Sequence, residues 1–298
     1  MRLVTYESKG KWRAGVIVDG NIVDSTVAAT SAEISIDTDP VPNRQIIRLN
    51  TDQQSHFWRA ARAIADTHLF NVDFPLKDAH LGPPIPDPDK IICLGLNYRR
   101  HAEEAGLAVP KVPLLFAKYR NTLCGPADPI ILPSVSTEID YECELAVVIR
   151  RSCKNVPAVD ALDCVAGYMA FNDISARDLQ FQTGQWLSGK TLDTFAPCGP
   201  VLVIDEISDP QDLNIATRIN GEVLQQSNTR DMIFSVAESI AYISQLMTLE
   251  PGDIIATGTP EGVGFKRTPP IFLREGDMVE VEIENIGTLR NPVVGGKP

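Results

Sequence analysis

Two glutamates two residues apart, Glu142 and Glu144, stand near the start of the run Asp140-Tyr141-Glu142-Cys143-Glu144-Leu145-Ala146-Val147-Val148-Ile149. The β-branched, apolar tail of that run reads as a strand. Side chains alternate along a strand, so Glu142 and Glu144 share one face, with Ala146 and Val148 beyond them. Two carboxylates beside an apolar stretch repel each other and resist desolvation, and a bound divalent cation relieves both costs. Oxygen-only ligands suit Mg2+, Mn2+ or Ca2+ better than Zn2+. Taken alone, the run also fits a solvated strand face at a sheet edge. In a second run, Gly167 to Asp178, an apolar strand passes directly into Asn172-Asp173. Asp173 reads as a third oxygen ligand, whereas Asp178 reads as an acid capping the next turn.

His101 and Glu104 lie three residues apart in a segment, Asn97 to Gly106, of helix-forming residues. On a helix they share a face and can hydrogen-bond. A carboxylate that orients an imidazole makes a better general base. Lys190 sits among small residues, where it can approach the carboxylates and stabilise a developing oxyanion. Gly258, Gly262 and Gly264 suggest a loop that lets backbone approach a ligand closely. No Gly-Lys-Ser/Thr follows it, which argues against a nucleoside triphosphatase.

The elements that must position these groups follow from pattern. Leu3–Tyr6, Ala14–Val18 and Ile22–Val23, with a hairpin signal at Asp19-Gly20-Asn21, make the N-terminus β-rich. Ser55 to Leu69 places Phe57, Ala61, Ile64 and Ala65 on one helical stripe. Four prolines between Leu81 and Pro88 read as a semi-rigid connector. We therefore divide the chain into a small N-terminal unit, 1–80, a Pro-rich linker, 81–90, and a metal-binding catalytic domain, 91–298. In the last, Lys90–Gly95, Pro129–Pro133, Glu142–Ile149, Val201–Ile204, Ile254–Thr257 and Met278–Glu284 read as strands. Ser235 to Glu238 reads as a capping box before a helix that aligns Val236, Ile240, Ile243 and Met247. Strands outnumber helices without regular βαβ alternation, so the fold class is α+β, mainly β, and not a doubly wound parallel sheet.

Composition narrows the partners. Of 298 residues, 27 are Lys or Arg and 39 are Asp or Glu, a net charge of −12. With no long basic run, nucleic acid and anionic membranes are disfavoured. No stretch approaches the ~20 apolar residues of a membrane helix, and the first residues lack the apolar core of a signal peptide. A cytoplasmic location is expected. The six cysteines contain no Cys-x-x-Cys pair and read as small unpaired core residues. The four histidines, His56, His68, His80 and His101, have no zinc-ligand spacing.

Five motifs in order then become recognisable: Gly95-Leu96-Asn97-Tyr98, Glu142-Cys143-Glu144, Asn172 to Asp178, Gly189-Lys190, and Thr257 to Gly264. From about Ile91 to Val294 the chain resembles the fumarylacetoacetate hydrolase family. The resemblance implies a catalytic domain of rolled, mixed β-sheet beside a small N-terminal α/β domain, one divalent metal, and a homodimer. It implies Glu142, Glu144 and Asp173 as metal ligands and His101, Glu104 and Lys190 as catalytic residues. Lys118, Arg177, Gln180 and Thr259 match substrate-binding positions, and the His101–Glu104 segment matches a lid that orders over ligand. Arg150-Arg151 stands where many members have glycine, at a turn outside the site. The implied reaction is metal-dependent hydrolysis of a C–C bond in a β-diketo acid of the acylpyruvate type, through a metal-stabilised enolate. Oxaloacetate decarboxylation, or keto–enol isomerisation of an unsaturated dicarboxylate, uses the same electron sink. A silent binding protein with a structural Ca2+ is the reading from another class, and it leaves the cationic residues unexplained.

Overall fold

The computed structural model describes residues 1–35, 38, 41–67 and 73–296. One long mixed sheet carries the site. Its strands run in the order Asp73–Pro75, Asn21–Asp24, Lys11–Val18, Arg2–Ser8, Ala196–Val203, Val165–Asn172, Cys143–Ile149, Ile254–Ala256, Ile91–Gly95, Leu114–Lys118. Most neighbours are antiparallel, but Ile254–Ala256 and Ile91–Gly95 pair in parallel. A second sheet orders Glu222–Asn228, Asn214–Ile219, Met278–Ile283, Gly287–Gly295 and Ile130–Leu132. The mainly β class expected from the sequence is observed.

The central strand is buried on both faces, which explains its unbroken apolar run. Cys143, Leu145, Val147 and Ile149 face a core shared with Ile215, Val281 and Leu289 of the second sheet and with the helix Val236–Leu246. Ala146 and Val148 face the opposite core, which takes in Phe57, Ala61, Ile64 and Ala65 of the helix Thr51–Asp66. Those four are the buried residues of that helix, as its spacing predicts. His68 and Leu69, at the end of the predicted stripe, lie outside the described residues. The Ser235/Glu238 capping box is present.

Three features differ from the sequence reading. The N-terminal strands do not form a sheet of their own: Arg2 and Leu3 pair with Val203 and Leu202, so residues 1–24 extend the sheet that carries the acids. The Pro-rich run is anchored along its length. Leu81 and Gly82 pair with Tyr6 and Thr5, and the Pro84 carbonyl accepts bonds from Thr5 and Asn43. Proline removes donors but leaves carbonyls, and those carbonyls are what the neighbours hold. Finally, Cys153 and Cys164, read as unpaired, form a disulfide, while Cys93, Cys124, Cys143 and Cys198 are buried thiols. The antiparallel pairing of Cys143–Ile149 with Val165–Asn172 brings the two flanking loops together, with Arg150 N donating to Cys164 O at 2.8 Å. No local spacing motif could reveal a pair joined through strand register.

Candidate active site

The same register gathers the acids. Cys143 lies opposite Asn172, so the residues just before the one and just after the other, Glu142 and Asp173, come side by side. Two bonds lock this crossing: Glu142 N donates to Asn172 Oδ1 at 3.0 Å, and Asp173 N donates to Glu142 O at 3.0 Å. Glu144 follows on the same strand face. Ligand oxygens of Glu142, Glu144 and Asp173 all fall within 4.8 Å of one another, and all three residues are buried.

Buried cations surround them. Lys190 Nζ donates to Glu142 Oε2 at 2.8 Å and to Asp173 Oδ2 at 2.7 Å. Lys190 ends the short helix Leu187–Lys190, and Gly189 allows it to enter. A Cβ at Gly189 would meet Ala176 O at 2.5 Å and Gln180 N at 2.6 Å. Arg177 Nη2 lies 2.7 Å from Glu142 Oε1 and 2.8 Å from Asp140 Oδ2, and Nη1 donates to Gln180 Oε1 at 2.9 Å. Lys118 Nζ donates to Asp173 Oδ1 at 2.6 Å and to Ile174 O at 2.9 Å.

The two lysines titrate in opposite directions. Burial pulls the Lys118 ammonium down, and its single carboxylate, Asp173, does not compensate. Burial also opposes Lys190, but Asp173 and Glu142 together outweigh it and push the ammonium up. The acids divide as well. Burial raises the Glu142 carboxyl, but Lys190 and Arg177 override it and hold Glu142 below the usual carboxylate range. Glu144 is pushed well up by burial and by the charges of Asp173 and Glu142. Its one hydrogen bond is from Gly258 N to Oε2, at 2.9 Å, and no Lys or Arg pairs with it among the described residues. A carboxylate stranded beside two like charges, in an all-oxygen donor set, fits a hard divalent cation.

Beside this cluster lies a cavity of about 140 Å³, bordered by Glu142, Lys190, Arg177, Gln180, Thr259 and His101, with aromatic side chains completing the wall. His101 projects from the helix Arg99–Ala105, which Gly106 terminates at φ 70°. His101 Nδ1 is 3.3 Å from Glu104 Oε2, and Glu104 accepts from Gly262 N at 3.0 Å. The predicted site residues are therefore gathered, with two qualifications of position. Glu104 supports His101 from behind, and the Lys118 ammonium is spent on Asp173 and Ile174 O without bordering the cavity.

Two residues of this network carry no role in the sequence reading. Asp140 is buried and accepts from Arg177 Nε at 2.8 Å, Gly264 N at 2.7 Å and Phe265 N at 3.1 Å, tying the guanidinium to the glycine loop. Its signal was available, since Asp140 shares alternation with Glu142 and Glu144. Gln225, on a strand of the second sheet, accepts from Cys143 N at 3.0 Å and donates to Thr259 Oγ1 at 2.9 Å and Pro260 O at 3.0 Å. Nothing in its local sequence marks it.

A mixed β-sheet holding three carboxylates, buried lysines and a His–Glu pair defines a class, and the family model for the fumarylacetoacetate (FAA) hydrolase C-terminal domain matches residues 90–294. The chain belongs to the fumarylacetoacetate hydrolase family. It is 44% identical to the fumarylacetoacetate hydrolase domain-containing protein 2 homolog of Dictyostelium discoideum, over 98% of this chain and 97% of that protein. It is 51% identical to the oxaloacetate tautomerase Fahd2a, mitochondrial, of Rattus norvegicus, over 71% of this chain and 68% of the relative. Among solved structures it is similar to a putative HpcE protein from Mycobacterium smegmatis, with a TM-score of 0.83 and 34% identity, covering 100% of both chains. The maleylpyruvate hydrolase from Sphingobium sp. SYK-6 in complex with manganese (II) ion and pyruvate is also similar, with a TM-score of 0.76 and 32% identity, again over 100% of both chains.

Proposed function

We propose that this chain is a divalent-metal-dependent enzyme acting on small α-keto acids through their enol forms, and that its reaction is the interconversion of enol and keto oxaloacetate. The observation that carries this reading is the placement of His101, Lys190 and Glu142 around one small cavity. The 51% identity to an oxaloacetate tautomerase gives the substrate its support. Glu142, Glu144 and Asp173 would hold the metal, Mg2+ or Mn2+; a bound divalent cation supplies Lewis-acid polarisation of the keto oxygen.

The chain's own groups do the rest. Lys190 and Arg177 place positive charge where the substrate's oxygens become electron-rich. Gln180 and Thr259 add polar contacts on the same wall. In tautomerisation the enol hydroxyl loses a proton and the neighbouring carbon gains one. His101, held through Nδ1 by Glu104, keeps Nε2 free to carry it.

Hydrolysis of a β-diketo acid of the acylpyruvate type is the second reading, and the His101–Glu104 pair favours it. There His101 removes a proton from water, the hydroxide attacks the distal carbonyl, and the C–C bond breaks to leave a pyruvate enolate. Decarboxylation of oxaloacetate draws on the same electron sink. A homodimer and a cytoplasmic location complete the proposal; the rat relative is by name mitochondrial.

The test is to assay enol-oxaloacetate and acetylpyruvate side by side, with Mg2+, with Mn2+ and with chelator. Turnover should vanish with chelator and in Glu142→Ala. Retained, metal-independent turnover in that variant would contradict the proposal, and the preferred substrate separates the two reactions.

A further inference from the structure

We propose that Lys266 is a specificity-determining residue of this site, the side chain that receives the distal carboxylate of a keto dicarboxylate. The inference rests on the keto-acid reading above and adds the side chain that holds the carboxylate at the substrate's far end. Three lysine and arginine side chains border the cavity: Lys190, Arg177 and Lys266. The first two are buried and already paired with Glu142, Asp173 and Asp140. Lys266 has no carboxylate partner among the described residues. Its Nζ makes one long hydrogen bond, 3.5 Å to Ala105 O, and lies 5.1 Å from the centroid of the Phe265 ring. An ammonium has three donors, so most of its capacity is unspent. In a chain with 39 acidic residues against 27 basic ones, a half-buried lysine left without an acid is a feature that a ligand can use.

Position supports the assignment. Arg177 Cζ lies 4.3 Å from the centroid of the same Phe265 ring. Two cations that border the cavity thus lie against one aromatic ring, 4.3 Å and 5.1 Å from its centroid, so they are near enough for one short dicarboxylate to span. The head of the ligand, its α-keto acid, meets the buried acids and Lys190. The tail carboxylate then reaches an ammonium that costs little to recruit, because no existing ion pair has to break. Lys266 also donates to Ala105 O, at the last residue of the helix that bears His101. A carboxylate on this lysine is consequently in reach of that helix end.

The experiment compares two unreactive acids with the same head and the same chain length, 2-oxoglutarate and 2-oxopentanoate, bound to the Mg2+-loaded full chain by calorimetry. Wild-type protein should bind 2-oxoglutarate about tenfold more tightly, the worth of one charge-assisted hydrogen bond. Lys266→Met should abolish that preference while leaving 2-oxopentanoate within about twofold of wild type, a change smaller than any single polar contact supplies. Lys266→Arg should retain the preference. If Lys266→Met still prefers the dicarboxylate, or wild type binds both acids equally, the assignment of Lys266 falls and the keto-acid reading stands. If wild type binds neither acid, the keto-acid reading fails and takes this inference with it.

Discussion

The floor of the cavity and its outer wall are built on different physical principles. On the floor and directly behind it, Glu142, Glu144, Asp173, Lys118, Lys190 and Arg177 are all buried, and nearly every charge is matched by another protein charge. These groups come from paired strands and from turns clamped to them. The wall is carried by a seven-residue helix and a short turn, and its groups are lightly held: one 3.3 Å contact for His101 and one 3.5 Å bond for Lys266. A buried ionic cluster is expensive to assemble but rigid once satisfied. A loosely held wall is cheap to alter. The difference assigns metal and charge binding to the floor, and proton transfer and the choice of substrate to the wall.

The sharpest way to break this comparison is Asp173→Ala. It removes one metal-binding oxygen pair, strands the buried Lys118 ammonium and takes one of the two carboxylates that Lys190 holds. Activity should drop to background, and stability should fall by about 3–5 kcal/mol, the cost of orphaning a buried charge, as read by denaturant unfolding. An active, fully stable Asp173→Ala protein would mean that the floor is not the unit described here. On the wall, His101→Asn should lower turnover by about 10²–10⁴-fold yet leave pyruvate affinity and melting temperature close to wild type. Weakened pyruvate binding in that variant would move His101 from proton carrier to binding group.

The smallest effect is a pH dependence that separates the acids from one another. Glu144 binds its proton more tightly in the folded protein than in the unfolded chain, because burial, Asp173 and Glu142 all disfavour its charge. Metal-free protein should therefore lose stability as pH rises above the ordinary carboxylate range toward the raised value. Glu144→Gln removes that loss, so its melting temperature should vary less with pH than that of wild type. Saturating Mg2+ should flatten the wild-type curve as well, since a cation rewards the ionised form. Parallel curves for variant and wild type would show that Glu144 is not the strained acid.

Much of the floor was legible in the chain. Alternation put Glu142 and Glu144 on one face, and the apolar run ending at Asn172-Asp173 marked the third acid. Lys190 was visible through its glycine, whose need is now explained by the backbone it grazes. Helix spacing joined His101 to Glu104. Local patterns carry such information because they depend only on the period of a strand or helix. The same patterns missed Gln225 and left Asp140 without a role. Gln225 joins the central strand to the Thr259 loop across two sheets, and no local period encodes that contact.

By itself, the sequence determined the mainly β class, the helix faces, the acids and the absence of a phosphate loop, because each follows from residue type and short-range spacing. Tertiary structure alone decided that the N-terminal strands share the catalytic sheet, that Cys153 meets Cys164, that Lys118 stands behind Asp173, and that Lys266 is left without an acid among the described residues. Those outcomes depend on register and on which distant segments become neighbours. They are set by pairing one strand against another, a choice made between residues that local sequence keeps far apart.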